Sequence, residues 1–223
     1  MDVQHFDVAT TAGPLPARRY TADGADATLV FAHGAGAGQD HPWIRGRATD
    51  LQMRRITVVT FDFPYRAAGR RLPDRAPILL SGFRDVVDAV SVTSGTPVAI
   101  GGKSMGGRMA TMLAAEPDPP ALLGVVAMGY PLHPPGKPDQ LRVAHLPGVR
   151  VPVLVLQGER DPFGSPADVV GHAQRVGAEL EVVALPGGHG FEVPRRSGTQ
   201  QDVYVRAADE VRAWLDRLLA LEP

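Results

Sequence analysis

Ser104 lies between glycines in Gly102-Lys103-Ser104-Met105-Gly106. A serine hydroxyl is a poor nucleophile until a base takes its proton and donors stabilise the oxyanion that forms. The G-x-S-x-G pattern sets serine on a tight, strained turn between a strand and a helix. Its two glycines are required because the backbone crowds its neighbours there. The flanks fit: Thr96-Pro97-Val98-Ala99-Ile100 reads as a strand and residues 108–114 as a helix. Nucleophilic acyl chemistry at Ser104 is the expectation.

An acid and a base should then follow in the order Ser, Asp/Glu, His, each in a loop after a later strand. The apolar run 151–156 leads into Gln157-Gly158-Glu159-Arg160-Asp161-Pro162. Asp161, beyond the strand end, is the expected acid, with Glu159 as its competitor and a plain turn before Pro162 as the alternative. The run 180–185 leads into Pro186-Gly187-Gly188-His189-Gly190. A histidine among glycines on a loop has no core to belong to, so His189 is the expected base among the seven histidines. His5 is near a terminus, His172 falls in a helical pattern, and His133 and His145 lie in a proline-rich connection. His33 and His41 flank a glycine loop and read as its supports.

That loop, His33-Gly34-Ala35-Gly36-Ala37-Gly38-Gln39-Asp40, follows an early strand. It is a candidate oxyanion segment, with the backbone N–H of Ala35 paired with that of Met105. Asp40 is expected to cap the helix opening at His41-Pro42. Two look-alikes fail on register. A P-loop needs glycine five residues before Gly102, where Pro97 stands. The dinucleotide pattern G-x-G-x-x-G meets Gln39 when counted from Gly34 and His41 when counted from Gly36. No phosphate or nucleotide cradle, cofactor or metal is expected.

These residues need a scaffold. Strand patterns at 27–32, 56–61, 97–101, 122–128, 151–156 and 180–185 alternate with helical ones near 41–54, 78–92, 105–115, 165–176 and 201–221. Such alternation predicts an α/β fold with a mostly parallel sheet and crossover helices. Continuous apolar runs predict strands covered on both faces. The first twenty residues read as a hairpin at a sheet edge. Tyr204, Ala208, Val211, Leu215 and Leu218 form one helical stripe that should pack on the sheet. The stretch 131–150 is too short and too rich in proline for a helical cap.

Length and composition agree with one domain spanning 1–223: 223 residues, 44% apolar and 21% charged. A formal net charge of −1 argues against broad phosphate neutralisation, hence against a nucleic-acid binder. No cysteine is present, which excludes disulfides, zinc thiolates and a cysteine nucleophile. The first residues lack a basic start and apolar core, and no run approaches the about 18 apolar residues of a membrane span. A cytoplasmic protein with no membrane partner is the expectation. Lys103 and Lys137 are the only lysines; arginine carries the remaining basic charge.

Taken together, the chain from residue 27 onward resembles the α/β-hydrolase superfamily. The His-Gly-Ala-Gly loop, Phe61-Asp62-Phe63-Pro64-Tyr65, Gly-Lys-Ser-Met-Gly-Gly-Arg and Gly-Tyr-Pro-Leu-His-Pro-Pro-Gly-Lys-Pro are similar to a small cap-less, dienelactone-hydrolase-like family. Its relatives include a eukaryotic subunit of the nonspecific-lethal chromatin complex. The resemblance implies an eight-stranded sheet with its second strand antiparallel, helices on both faces, and Ser104, Asp161 and His189 as a triad. Dienelactone hydrolases proper use a cysteine nucleophile, which this chain lacks.

The resulting expectation is a serine hydrolase acting on a small-molecule acyl substrate, an ester, a thioester or similar. The alternatives are a non-catalytic interaction module on the same scaffold, and an acyltransferase or perhydrolase using the same residues. Arg66, Arg70, Arg71 and Arg75 either hold a substrate carboxylate or phosphate or form a solvated basic loop. Lys103 either favours anionic substrate groups or makes a structural hydrogen bond.

Overall fold

The computed structural model describes residues 3–172, 175–194 and 199–221. The chain opens with β1 (Val3–Val8) and β2 (Leu15–Tyr20), an antiparallel hairpin. β3 (Ala27–Ala32), α1 (Pro42–Gln52), β4 (Ile56–Phe61), α2 (Pro64–Ala67) and α3 (Ala76–Thr93) follow. Next come β5 (Val98–Lys103), α4 (Met105–Ala114), β6 (Val125–Met128), a 3₁₀ turn at Leu146–Gly148 and β7 (Val153–Gly158). The last elements are α5 (Pro166–Val170), β8 (Leu180–Leu185) and α6 (Gln200–Leu219).

The strands form one eight-stranded sheet in the order β1-β2-β4-β3-β5-β6-β7-β8. β2 runs antiparallel to both of its neighbours, and the pairs from β4 to β8 are parallel. This is the α/β-hydrolase fold, with no cap domain. Because side chains alternate across a strand, the central strands feed two cores. Val30, Val59, Ile100, Val125 and Val155 meet Phe83 and Val87 of α3 and Met109 and Leu113 of α4 on one face. Leu29, Phe31, Val58, Val126 and Leu154 meet Ile44 and Leu51 of α1 and Val211, Trp214 and Leu215 of α6 on the other. Every residue of β3, β6 and β7 is buried, which is why these strands read as unbroken apolar runs.

After β3 the chain moves outward to β4, then returns to lay β5 on the opposite side of β3. Such a reversal leaves a crevice at the carboxyl ends of the two strands, where α/β sheets bind ligands. Ala32 pairs with Gly102 at that end, so the glycine loop and the Ser104 turn emerge side by side.

Several boundaries differ from expectation for local reasons. β5 continues through Lys103 because Gly102 and Lys103 still pair with Ala127 and Met128. β7 starts at Val153, since Pro152 has no N–H for the ladder; its carbonyl accepts from the Val125 N–H instead. The helix expected over 165–176 is only α5, capped by Gly171; residues 173 and 174 of that stretch lie outside the described residues. The short α2 was not anticipated, although Pro64 at its first position was the available signal. Asp40 does not cap α1. The cap is His41, whose ring nitrogen accepts from the Trp43 N–H at 3.2 Å, while Asp40 pairs with Arg18 at 2.5 Å. In α6 the buried stripe is Val203, Ala207, Ala208, Val211, Trp214 and Leu215, with Tyr204 and Leu218 packed at its margin. No helix among the described residues is long and apolar enough to cross a membrane.

Candidate active site

Ser104 sits between β5 and α4 with φ 51° and ψ −111°, a left-handed conformation that a non-glycine residue adopts only under constraint. The constraint is close packing of the backbone. A Cβ built on Gly102 would lie 2.4 Å from the Ala32 carbonyl oxygen, and one on Gly106 would also lie 2.4 Å from it. Only glycine lets the strand and the new helix approach β3 this closely. The Ser104 N–H donates to Met128 O at 3.0 Å, anchoring the turn to β6.

The glycine loop after β3 lies against this turn: a Cβ on Gly34 would touch Lys103 and stand 3.7 Å from Ser104 Cβ. Buried His33 props the loop. Its Nδ1 lies 2.8 Å from Gly34 O, which can only accept, so Nδ1 carries the proton. Its Nε2 accepts from the Phe63 N–H at 3.2 Å. Burial holds the ring pKa below its ordinary value, chiefly by desolvation, so the histidine is a neutral strut. Two members of the Phe61-Asp62-Phe63-Pro64-Tyr65 segment complete the support. Asp62 accepts from the Gln39 N–H at 2.9 Å, and the Tyr65 hydroxyl donates to Ala35 O at 2.9 Å. Among the described residues neither the Ala35 nor the Met105 N–H has a hydrogen-bond partner. Met105 opens α4, where first-turn donors have no acceptor within the helix.

Asp161 and His189 come together from the ends of β7 and β8. His189 Nδ1 lies 2.8 Å from Asp161 Oδ2; the carboxylate accepts, so Nδ1 holds the proton and Nε2 keeps a lone pair. Asp161 is buried and further held by the Phe163 N–H on Oδ1 at 2.9 Å and by Gln157 Nε2 on Oδ2 at 3.0 Å. Glu159, the competing acid, is exposed. Sequence reasoning missed Gln157, which is fully buried. It also binds the Tyr130 N–H at 2.8 Å and Gly164 O at 2.7 Å, fastening the Asp161 loop to the end of β6. Its signal was one amide ending an otherwise apolar strand. Gly129, φ +70°, was missed too: a Cβ there would come within 2.7 Å of His189 O and 3.2 Å of its Nδ1. The His189 ring lies against Phe163 with centroids 4.3 Å apart and the two planes tilted by 34°.

Ser104, His189 and Ala35 line one cavity of about 390 Å³, open to solvent. Trp43, Phe163, His41, Lys103 and Glu192 are also among its walls. Among the described residues no hydrogen bond joins Ser104 Oγ to His189. Arg66 and Arg70 are not among the lining residues. Arg66 packs beside Asp62 near Gly38, and exposed Arg70 forks onto Asp74 at 2.6 and 3.0 Å. Arg71 and Arg75 are exposed as well. Lys103 lines the cavity but directs its ammonium to the His189 carbonyl at 2.5 Å.

The model of a family described as the alpha/beta hydrolase domain matches residues 25–216. The fold is similar to that of a dienelactone hydrolase from Anabaena variabilis, with 23% identity, 97% of this chain and 99% of that chain covered, and a TM-score of 0.77. It is similar to a serine hydrolase without a lid from Xanthomonas campestris at 20% identity, 96% and 95% coverage and a TM-score of 0.74. A third likeness is to Est1E from Butyrivibrio proteoclasticus at 13% identity, 97% and 99% coverage and a TM-score of 0.73.

Proposed function

The chain belongs to the α/β hydrolase domain family, and on that premise we propose that it is a serine hydrolase. It cleaves an ester, thioester or similar acyl bond of a small-molecule substrate through an acyl-enzyme on Ser104. The observation that carries this reading is the Asp161–His189 hydrogen bond at 2.8 Å, which frees Nε2 as a base in the cavity that Ser104 lines.

In this mechanism His189 Nε2 removes the Ser104 proton as Oγ attacks the acyl carbon. Asp161 keeps the ring in the required tautomer and stabilises the imidazolium. The oxyanion forms against the Ala35 and Met105 N–H groups, where one such donor is worth roughly 10²–10³ in rate. His189 then protonates the leaving group, and the same base activates water to release the acyl group and restore Ser104. The walls suit an uncharged or modestly polar acyl group. Trp43 and Phe163 offer aromatic faces, and the nearby cation, Lys103, is engaged with the protein's own backbone.

The test is a panel of activated esters and thioesters of increasing acyl length, with Ser104→Ala as reference. Removing the nucleophile should lower kcat by about 10⁶ if the three residues act as a unit. Turnover that survives Ser104→Ala unchanged contradicts the proposal. Inertness of the folded wild type across the whole panel favours a non-catalytic interaction module.

A further inference from the structure

His189 lies in a segment of high backbone freedom, Gly187-Gly188-His189-Gly190, yet a general base must be held to within a fraction of an ångström of its partner. Asp161 holds the ring at Nδ1, which leaves the backbone beneath it to be fixed by something else. Two side chains meet successive carbonyls there. Lys103 Nζ donates to His189 O at 2.5 Å, and Trp43 Nε1 donates to Gly190 O at 3.0 Å. The Gly190 N–H is taken by Glu192 Oε2 at 2.9 Å. The Lys103 ammonium also lies 4.9 Å from the centre of the Trp43 ring, so the two donors brace one another.

Lys103 immediately precedes the nucleophile. Among the described residues, its bond to His189 O is the only hydrogen bond joining the turn 102–106 to the loop 187–191. We propose that Lys103 is a positioning residue that ties the backbone of the base His189 to the nucleophile's own turn and so sets the separation of Ser104 and His189. This inference rests on the serine-hydrolase reading of the site. Its ammonium is committed to the protein, so it does not select anionic substrates. Burial draws the ammonium pKa down to about 8 against the pull of Glu192 and Asp161, which leaves it largely charged at neutral pH. A charged donor to a carbonyl is roughly twice as strong as a neutral one.

The experiment compares wild type, Lys103→Met and Lys103→Arg by steady-state hydrolysis of p-nitrophenyl butyrate and by the rate of Ser104 labelling with a fluorophosphonate. Lys103→Met keeps the length of the side chain and removes its donors. It should lower kcat and the labelling rate by about 10–100-fold, the scale set by an ångström of misplacement, with KM within about twofold. Lys103→Arg restores a cationic donor over Trp43 and should recover most of the loss. A Lys103→Met protein with wild-type kcat and labelling rate overturns the inference, as does one whose only change is a raised KM. If Lys103→Met does not fold, Lys103→Gln, whose amide ends one atom short of the ammonium position, weakens the same bond to His189 O. A lowered kcat at unchanged KM then supports the tie, and a wild-type kcat overturns it. A wild type inert to both reagents overturns the hydrolase reading itself, whereas a reactive wild type matched by Lys103→Met overturns this inference alone.

Discussion

The two halves of the candidate site are held in place by different means. The Ser104 turn, at the centre of the sheet, is fixed by backbone against backbone, with Gly102 and Gly106 pressed onto the Ala32 carbonyl. The loops carrying Asp161 and His189, at the ends of β7 and β8, are fixed by side chains: Gln157 on Asp161, Asp161 on His189, Lys103 and Trp43 on the carbonyls of His189 and Gly190. A steric lock fails abruptly when any atom is added to it. A hydrogen-bonded brace fails in proportion to the bonds removed.

The largest effect tests the brace at its centre. Asp161→Asn preserves size and should lower kcat by about 10⁴ by favouring the wrong histidine tautomer, with little change in the thermal midpoint; a loss under tenfold would break the contrast. Gly106→Ala tests the lock. Its methyl meets the Ala32 carbonyl, which nothing flexible can relieve. Overpacking of this kind is destabilising by about 1–3 kcal/mol, and displacement of the turn should lower kcat about 10²-fold or more. Urea denaturation and ester hydrolysis measure the two effects, and wild-type values in both would show that the turn has slack.

Gln157→Leu should be graded. It strips one bond from Asp161 and leaves the Tyr130 N–H without its acceptor, a loss of about 1–3 kcal/mol for a buried polar group left unmatched. With the His189 bond intact, kcat should fall only about tenfold; a fall as large as that of Asp161→Asn would mean that Gln157, not His189, governs the carboxylate. The smallest effect lies behind the Ser104 turn, where His145 Nε2 meets Thr111 of α4 at 2.9 Å. Burial and the Arg108 charge hold this histidine down to about 4 from an ordinary 6.5. The unfolded chain therefore takes up a proton below 6.5 that the folded protein refuses until about 4, and stability falls with pH across that window. His145→Gln should shrink the difference between urea midpoints at pH 7 and pH 4.5; an unchanged difference would assign the acid sensitivity elsewhere.

The contrast also explains what was legible in the sequence. The turn, the glycine loop and the order Ser104, Asp161, His189 could be read because each is a short local pattern after an apolar strand, and the two-faced sheet followed from runs such as residues 27–32. The braces could not. Gln157 matters through Tyr130, 27 positions away, and Lys103 through His189, 86 positions away; no local spacing encodes either pairing. At Arg66 and Arg70 the sequence offered proximity alone. They follow a strand on the ligand side, yet Arg70 is spent on Asp74 and neither lines the cavity. Asp40 was a plausible cap by residue type, but Arg18 claims it from across the sheet edge.

The most direct measurement of the central claim is mass spectrometry of the folded protein after reaction with a fluorophosphonate. A single adduct on the peptide containing Ser104, absent from Ser104→Ala and slowed sharply by His189→Ala, is the predicted result. No adduct on Ser104, or one formed equally fast without His189, would contradict it.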